Sequence, residues 1–127
     1  MEKSLEIERV VEEAGLAKTM KSGSLPVLAT PQLAAWMEEA SCLLLELPEG
    51  KTSVGTRLDL SHLKASPLGA AIRIRASLVA EEGRRLSFAI EAYEGEALVG
   101  KASHERAVVD TDRFLGRVYP QGCPDEA

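Results

Sequence analysis

A carboxylate, an imidazole and a hydroxyl at Glu38, His62 and Thr30 form the set from which this sequence could build acid–base or nucleophilic chemistry. Glu38 lies in a run where Leu33, Trp36, Met37, Ala40 and Leu44 recur at the three- and four-residue steps of one helix face. At about 100° per residue, Glu38 falls on the flank of that apolar arc beside Leu45, while its neighbour Glu39 points to the polar side. A carboxylate in such a place loses part of its hydration, which suits it to act as a base or nucleophile near neutral pH. Periodicity leaves the plainer alternative open, a boundary glutamate whose carboxylate reaches water. His62 precedes the irregular stretch Leu63-Lys64-Ala65-Ser66-Pro67, where a side chain can project into a cleft. A neutral histidine there could take or give a proton, or orient Glu38, and a plain surface or hydrogen-bonded histidine fits the same position. Thr30 stands before Pro31 and is expected to cap a helix N-terminus. A hydroxyl so placed also sits where backbone N–H groups and the helix dipole stabilise developing negative charge.

Two further stretches could serve such a site. In Ser103-His104-Glu105-Arg106, strand alternation puts His104 and Arg106 on one face and Glu105 on the other. Arg106 could bind a phosphate or carboxylate, or lock a buried carboxylate in place, and structural support is the favoured reading. Gly55-Thr56 offers either an uncluttered backbone that a small substrate group could approach or a simple bulge. The sequence contains no glycine-rich phosphate loop, no metal-ligand spacing and no Gly-x-Ser-x-Gly elbow, so no metal and no separate cofactor are expected.

The elements that must position these residues follow from hydrophobic patterning. Leu5 to Lys21 alternates partially and is expected as a strand with a bend at Gly15; a helix would also fit its first half. Ser22-Gly23-Ser24-Leu25-Pro26 breaks it, and the helix starting at Thr30 is closed by Leu47-Pro48-Glu49-Gly50. Strands are expected over Thr52–Leu60, Ala70–Glu81, Arg85–Tyr93 and Ala97–Val109, with turns at Glu82-Gly83 and Tyr93-Glu94-Gly95-Glu96. Asp110 to Leu115 reads as a short helical turn. The sum is an α+β domain over residues 1–118, one long helix on an antiparallel sheet of about five strands, with a flexible tail over residues 119–127. A single helix covers one sheet face only, so completion as a homodimer, with dimers pairing further as an option, is expected.

The chain has 127 residues, 45% of them hydrophobic and only 4% aromatic, enough for one core built mostly of aliphatic side chains. Net charge is −5 with the basic residues scattered, which argues against nucleic acid as a partner. No stretch approaches the roughly 18 apolar residues of a membrane span, and Met1 to Glu6 lacks the apolar core of a signal peptide. Cys42 and Cys123 form no disulfide framework. A cytoplasmic protein is expected.

Four separated motifs together resemble one family. Leu-Pro-Val-Leu-Ala-Thr-Pro at 25–31 with Trp-Met-Glu-Glu-Ala at 36–40, Thr-Ser-Val-Gly-Thr-Arg-Leu-Asp-Leu-Ser-His-Leu at 52–63, Glu-Gly-Arg-Arg-Leu-Ser-Phe at 82–88 and His-Glu-Arg-Ala-Val-Val at 104–109 look like the fluoroacetyl-CoA thioesterase-like branch of the hotdog superfamily. The similarity spans roughly residues 5 to 118. It implies a hotdog fold and hydrolysis of a small acyl-CoA to the free acid and CoA. It also implies a catalytic triad of Thr30, Glu38 and His62, with the Gly55 segment lining the acyl pocket from the facing subunit. Glu38 would attack the thioester carbonyl or activate water for that attack. His62 would assist proton transfer, Thr30 would support the site, and Arg106, with Gly55 and Thr56, would lie at or behind the substrate. Where the fluoroacetyl enzyme has a longer, phenylalanine-bearing lid, this chain has the short Ser24–Ala29 approach, so a more ordinary acyl-CoA is expected. The main alternative is a non-catalytic acyl-CoA or metabolite-binding hotdog module. A hydratase would need an Asp-x-Asn-x-x-His-like run that is missing here, and a purely structural dimer would not be stabilised by any thioester.

Overall fold

Strand β1 (Lys3–Val10) opens a computed structural model of the chain that describes residues 3–124. After a 3-10 turn at Glu13–Gly15 and the short helix α1 (Ala17–Met20), the long helix α2 (Thr30–Leu44) leads into four strands. These are β2 (Lys51–His62), β3 (Ala71–Glu82), β4 (Arg85–Glu94) and β5 (Ala97–Asp110), followed by helix α3 (Thr111–Val118). All pairings are antiparallel, in the order β1-β3-β4-β5-β2, so β1 and β2 are the sheet edges.

Helix α2 forms where the apolar steps demanded one. Pro31 lies in its first turn, and Leu33, Trp36, Met37, Ala40 and Leu44 are buried along one stripe with Ser41, whose hydroxyl is satisfied by the Met37 carbonyl at 3.0 Å. The chain turns extended at Leu45, three residues before Pro48, which cannot continue a helix. The stripe packs on the inward side chains of β3 and β4, where Ile72, Ile74, Ala76, Leu86, Phe88, Ile90 and Ala92 alternate with exposed or half-buried neighbours. Tight turns at Gly83 and Gly95 join β3 to β4 and β4 to β5 through positive φ angles of 62° and 60°, which only glycine adopts freely.

The expected strand from Leu5 to Lys21 is corrected. Only residues up to Val10 pair with β3, and Gly15 belongs to the 3-10 turn, where an added Cβ would come within 3.0 Å of Gln32 on α2. Alternation ends at Val10, and the following Val11 and Leu16 are buried by folding the chain back over the sheet and α2. Leu16 bridges Leu28, so residues 16 to 28 form a flap beside the N-terminus of α2. The turn expected at Asp110–Leu115 is a longer helix, α3. Of the tail from residue 119, residues 125–127 lie outside the described part. No described helix is long and apolar enough to cross a membrane.

Candidate active site

The first of two polar clusters joins Thr30 to His62. Thr30 is the first residue of α2 and not its cap: Ala29 holds the capping position with extended backbone, and no side chain caps the helix. With Thr30 already inside the helix, its hydroxyl is free to lie 2.7 Å from His62 Nδ1. His62 ends β2 opposite Gly100 of β5. A Cβ on Gly100 would stand 2.9 Å from the Ser61 carbonyl oxygen and 3.0 Å from Leu33 Cδ2, so the bare glycine lets the first turn of α2 descend onto this end of the sheet. That descent brings Thr30 within reach of His62. Burial pushes the His62 imidazole below its ordinary range, against the opposing pull of the Lys64 backbone, so the ring is neutral near pH 7. Its Nε2 is buried and has no hydrogen-bond partner among the described residues. Beside the pair opens a cavity of about 290 Å³ lined also by Ala17, Val27, Leu28 and Leu63. Val27 and Leu28 come from the short approach before Thr30 and Leu63 from the irregular stretch after His62, whereas Ala17 had no signal in the sequence and is brought here by tertiary contact alone.

The second cluster gathers Glu38, His104 and Arg106 around Gly55. Glu38 lies eight residues beyond Thr30, about 12 Å along the helix. A Cβ on Gly55 would meet Arg106 Nη1 at 3.3 Å, His104 Cε1 at 3.3 Å and Glu38 Oε2 at 3.4 Å. Three side chains thus converge on one backbone position, and glycine is the residue that leaves room there. Arg106 is 7% exposed; its Nε donates to Ser53 Oγ at 2.8 Å and its Nη2 to the Ser53 carbonyl at 3.0 Å. Arg106 Nη1 donates to His104 Nε2 at 3.2 Å. A guanidinium has no acceptor, so His104 Nε2 carries the lone pair, and Nδ1 donates its proton to the Arg57 carbonyl at 2.7 Å. Burial, with a smaller contribution from Arg106, holds this ring below the ordinary histidine range, while the Arg57 carbonyl and Glu38 act in the opposite direction. The register of β2 against β5 shifts between Gly55 and Arg57, so the Gly55-Thr56 stretch is a β-bulge. Thr56 stands apart from both clusters, its hydroxyl donating to the Glu105 carbonyl at 3.1 Å.

The sheet therefore brings Gly55 and Arg106 to Glu38, and α2 brings Thr30 to His62. No side-chain hydrogen bond links the two clusters among the described residues. A wider trough of about 520 Å³ crosses the opposite sheet face between Arg75, Glu91 and Lys101, and none of the candidate residues lines it. Chemically, the arrangement offers a half-buried carboxylate and a buried cation around Gly55, and a neutral imidazole backed by a hydroxyl beside a cavity.

The profile of a family described as fluoroacetyl-CoA-specific thioesterase matches residues 11–112. The chain is 35% identical over 94 residues to the fluoroacetyl-CoA thioesterase of Streptantibioticus cattleyicolor, covering 72% of this chain and 68% of that protein. A solved structure of the fluoroacetyl-CoA thioesterase superposes with a TM-score of 0.87 at 28% identity, covering 95% of this chain and 96% of that one. A hot-dog-like protein from Thermanaerovibrio acidaminovorans is similar in fold, with a TM-score of 0.85 at 22% identity over 96% of this chain and 92% of its own.

Proposed function

The chain belongs to the family of fluoroacetyl-CoA-specific thioesterases, with their hotdog fold, and from that premise we propose that it hydrolyses a small acyl-CoA thioester using Glu38, His62 and Thr30. The observation that carries the residue assignment is the pairing of Thr30 with a neutral, partly buried His62 at the mouth of a cavity. Glu38 attacks the thioester carbonyl, or activates the water that does, and the buried Arg106 guanidinium lends positive charge to the half-buried carboxylate's surroundings. His62 assists the proton transfer that lets CoA leave as its thiol, and Thr30 fixes the orientation of its ring. Gly55 leaves room for the acyl group beside Glu38. No cofactor besides the CoA of the substrate takes part.

The working form in this reading is a cytoplasmic homodimer of one domain spanning residues 1–118. The unpaired edge of β2 supports this, because it carries both His62 and Gly55 and would otherwise expose a strand of 12 residues to chance pairing. The experiment is release of CoA thiol from a panel of short, branched and aromatic acyl-CoAs, with fluoroacetyl-CoA included, by wild type, Glu38→Gln and His62→Ala. Turnover of at least one substrate, with losses of about 10² to 10⁴-fold in both variants while they stay folded, is expected. Intact binding without cleavage would leave a non-catalytic acyl-CoA-binding module in its place, and variants as active as a cleaving wild type would remove Glu38 and His62 from the reaction.

A further inference from the structure

On the inward face of β5 the side chains run Ala102, His104, Arg106, Val108. Ala102 and Val108 pack against the hydrophobic core, whereas the two positions between them bury a 1% exposed histidine and a 7% exposed arginine. Aliphatic residues would fill that layer at lower cost, because a buried cation must be compensated. Ser53 and His104 take up the guanidinium protons, and Glu38 Oε2 faces the same point beside Gly55 as Arg106 Nη1, too far from it for a direct ion pair.

We infer that His104 is a positioning residue for the thioester hydrolysis, its ring anchored to the β2 bulge through Nδ1 and holding Arg106 Nη1, through the Nε2 lone pair, at the point beside Gly55 that Glu38 also faces. The inference rests on the hydrolase reading above. Three contacts fix the ring. The Arg57 carbonyl sets which nitrogen carries the proton, the Phe88 ring lies against it with centroids 5.9 Å apart, and Arg106 occupies the free lone pair. A rotated or absent ring would release Arg106 Nη1, the guanidinium nitrogen facing the point where Glu38 and Gly55 meet. The role acts through Arg106 and not on the substrate.

The two ring nitrogens can be tested separately. A glutamine amide reaches the place of Nε2 and can accept from Arg106, whereas an asparagine amide reaches the place of Nδ1 and can donate only to the Arg57 carbonyl. Wild type, His104→Gln, His104→Asn and Glu38→Gln are compared by CoA release, with folding followed by circular dichroism. His104→Gln is expected within a few-fold of wild type, and His104→Asn to lose about 10²-fold in kcat with KM little changed, the effect of misplacing a reacting group by about 1 Å. Asparagine as active as glutamine, in an enzyme that Glu38→Gln inactivates, overturns the positioning role and leaves the hydrolase reading standing. A wild type that cleaves no acyl-CoA sinks that reading, and the inference with it. Should the variants not fold, long-range proton–nitrogen correlation spectra of the wild type decide: a His104 protonated on Nδ1 and bare on Nε2 is expected, and the other tautomer overturns the inference.

Discussion

Thr30 is where the residue-scale chemistry diverges most from expectation. Ser and Thr before a proline-led helix normally cap it, at a value of about 1 kcal/mol. Here Ala29 takes that position and the Thr30 hydroxyl bonds His62 instead. Thr30→Val should therefore cut kcat/KM by about 10-fold or more, with Thr30→Ser restoring it, while thermal unfolding stays close to wild type. A fall in Tm worth a whole cap would return the residue to helix capping. His62 makes a second residue-scale prediction. Its burial keeps it neutral below the usual histidine midpoint of about 6.5, so kcat/KM should be flat above that pH and decline only on its acid side. Measured on His62→Gln at whatever activity survives, the same decline should be absent; its persistence would assign the titration elsewhere.

At the scale of elements, two glycines decide how strands meet the helix. Gly100→Ala places a methyl 2.9 Å from the Ser61 carbonyl oxygen and 3.0 Å from Leu33, so α2 must lift from the β2 end. The expected cost is about 1–3 kcal/mol in urea unfolding, together with loss of activity as Thr30 leaves His62. An unchanged midpoint would mean that the helix has more freedom than its packing suggests. Gly55→Ala is different in kind: it meets side-chain atoms at 3.3 and 3.4 Å and lies at the exposed edge strand, so catalysis should suffer more than stability. Helix α2 and strands β3 and β4 were legible because their apolar residues keep one period throughout. The segment from Val11 to Met20 was not, because two short turns pinned only by Val11, Gly15 and Leu16 have no period of their own.

For the whole molecule, a buried His104 and a half-buried His62 both have pKa values lowered by folding. Between their folded and unfolded midpoints the unfolded chain binds more protons, so folding stability is complete above about pH 6.5 and falls as the pH drops below it. Glu39, Glu94 and Asp110 are held below their ordinary values by Arg9, Lys64 and Lys51, and what they contribute is lost only on further acidification below about pH 4.5. Tm should therefore decline between pH 7 and 5, and His104→Gln should flatten the decline. An equal slope in that variant would remove His104 from the account.

Periodicity, length and four separated motifs were enough to determine the α+β class, the long helix, the hairpin strands and the family, because each is written locally along the chain. The candidate residues were likewise legible one at a time, including the shared face of His104 and Arg106. Their grouping was decided only by the tertiary structure. The turn of Thr30 from helix cap to histidine partner depends on how far α2 sinks over Gly100, and the meeting of Glu38 with Arg106 depends on a bulge in a strand from a different part of the chain. Contacts across such sequence separations are set by packing distance, and one-dimensional spacing carries no record of it.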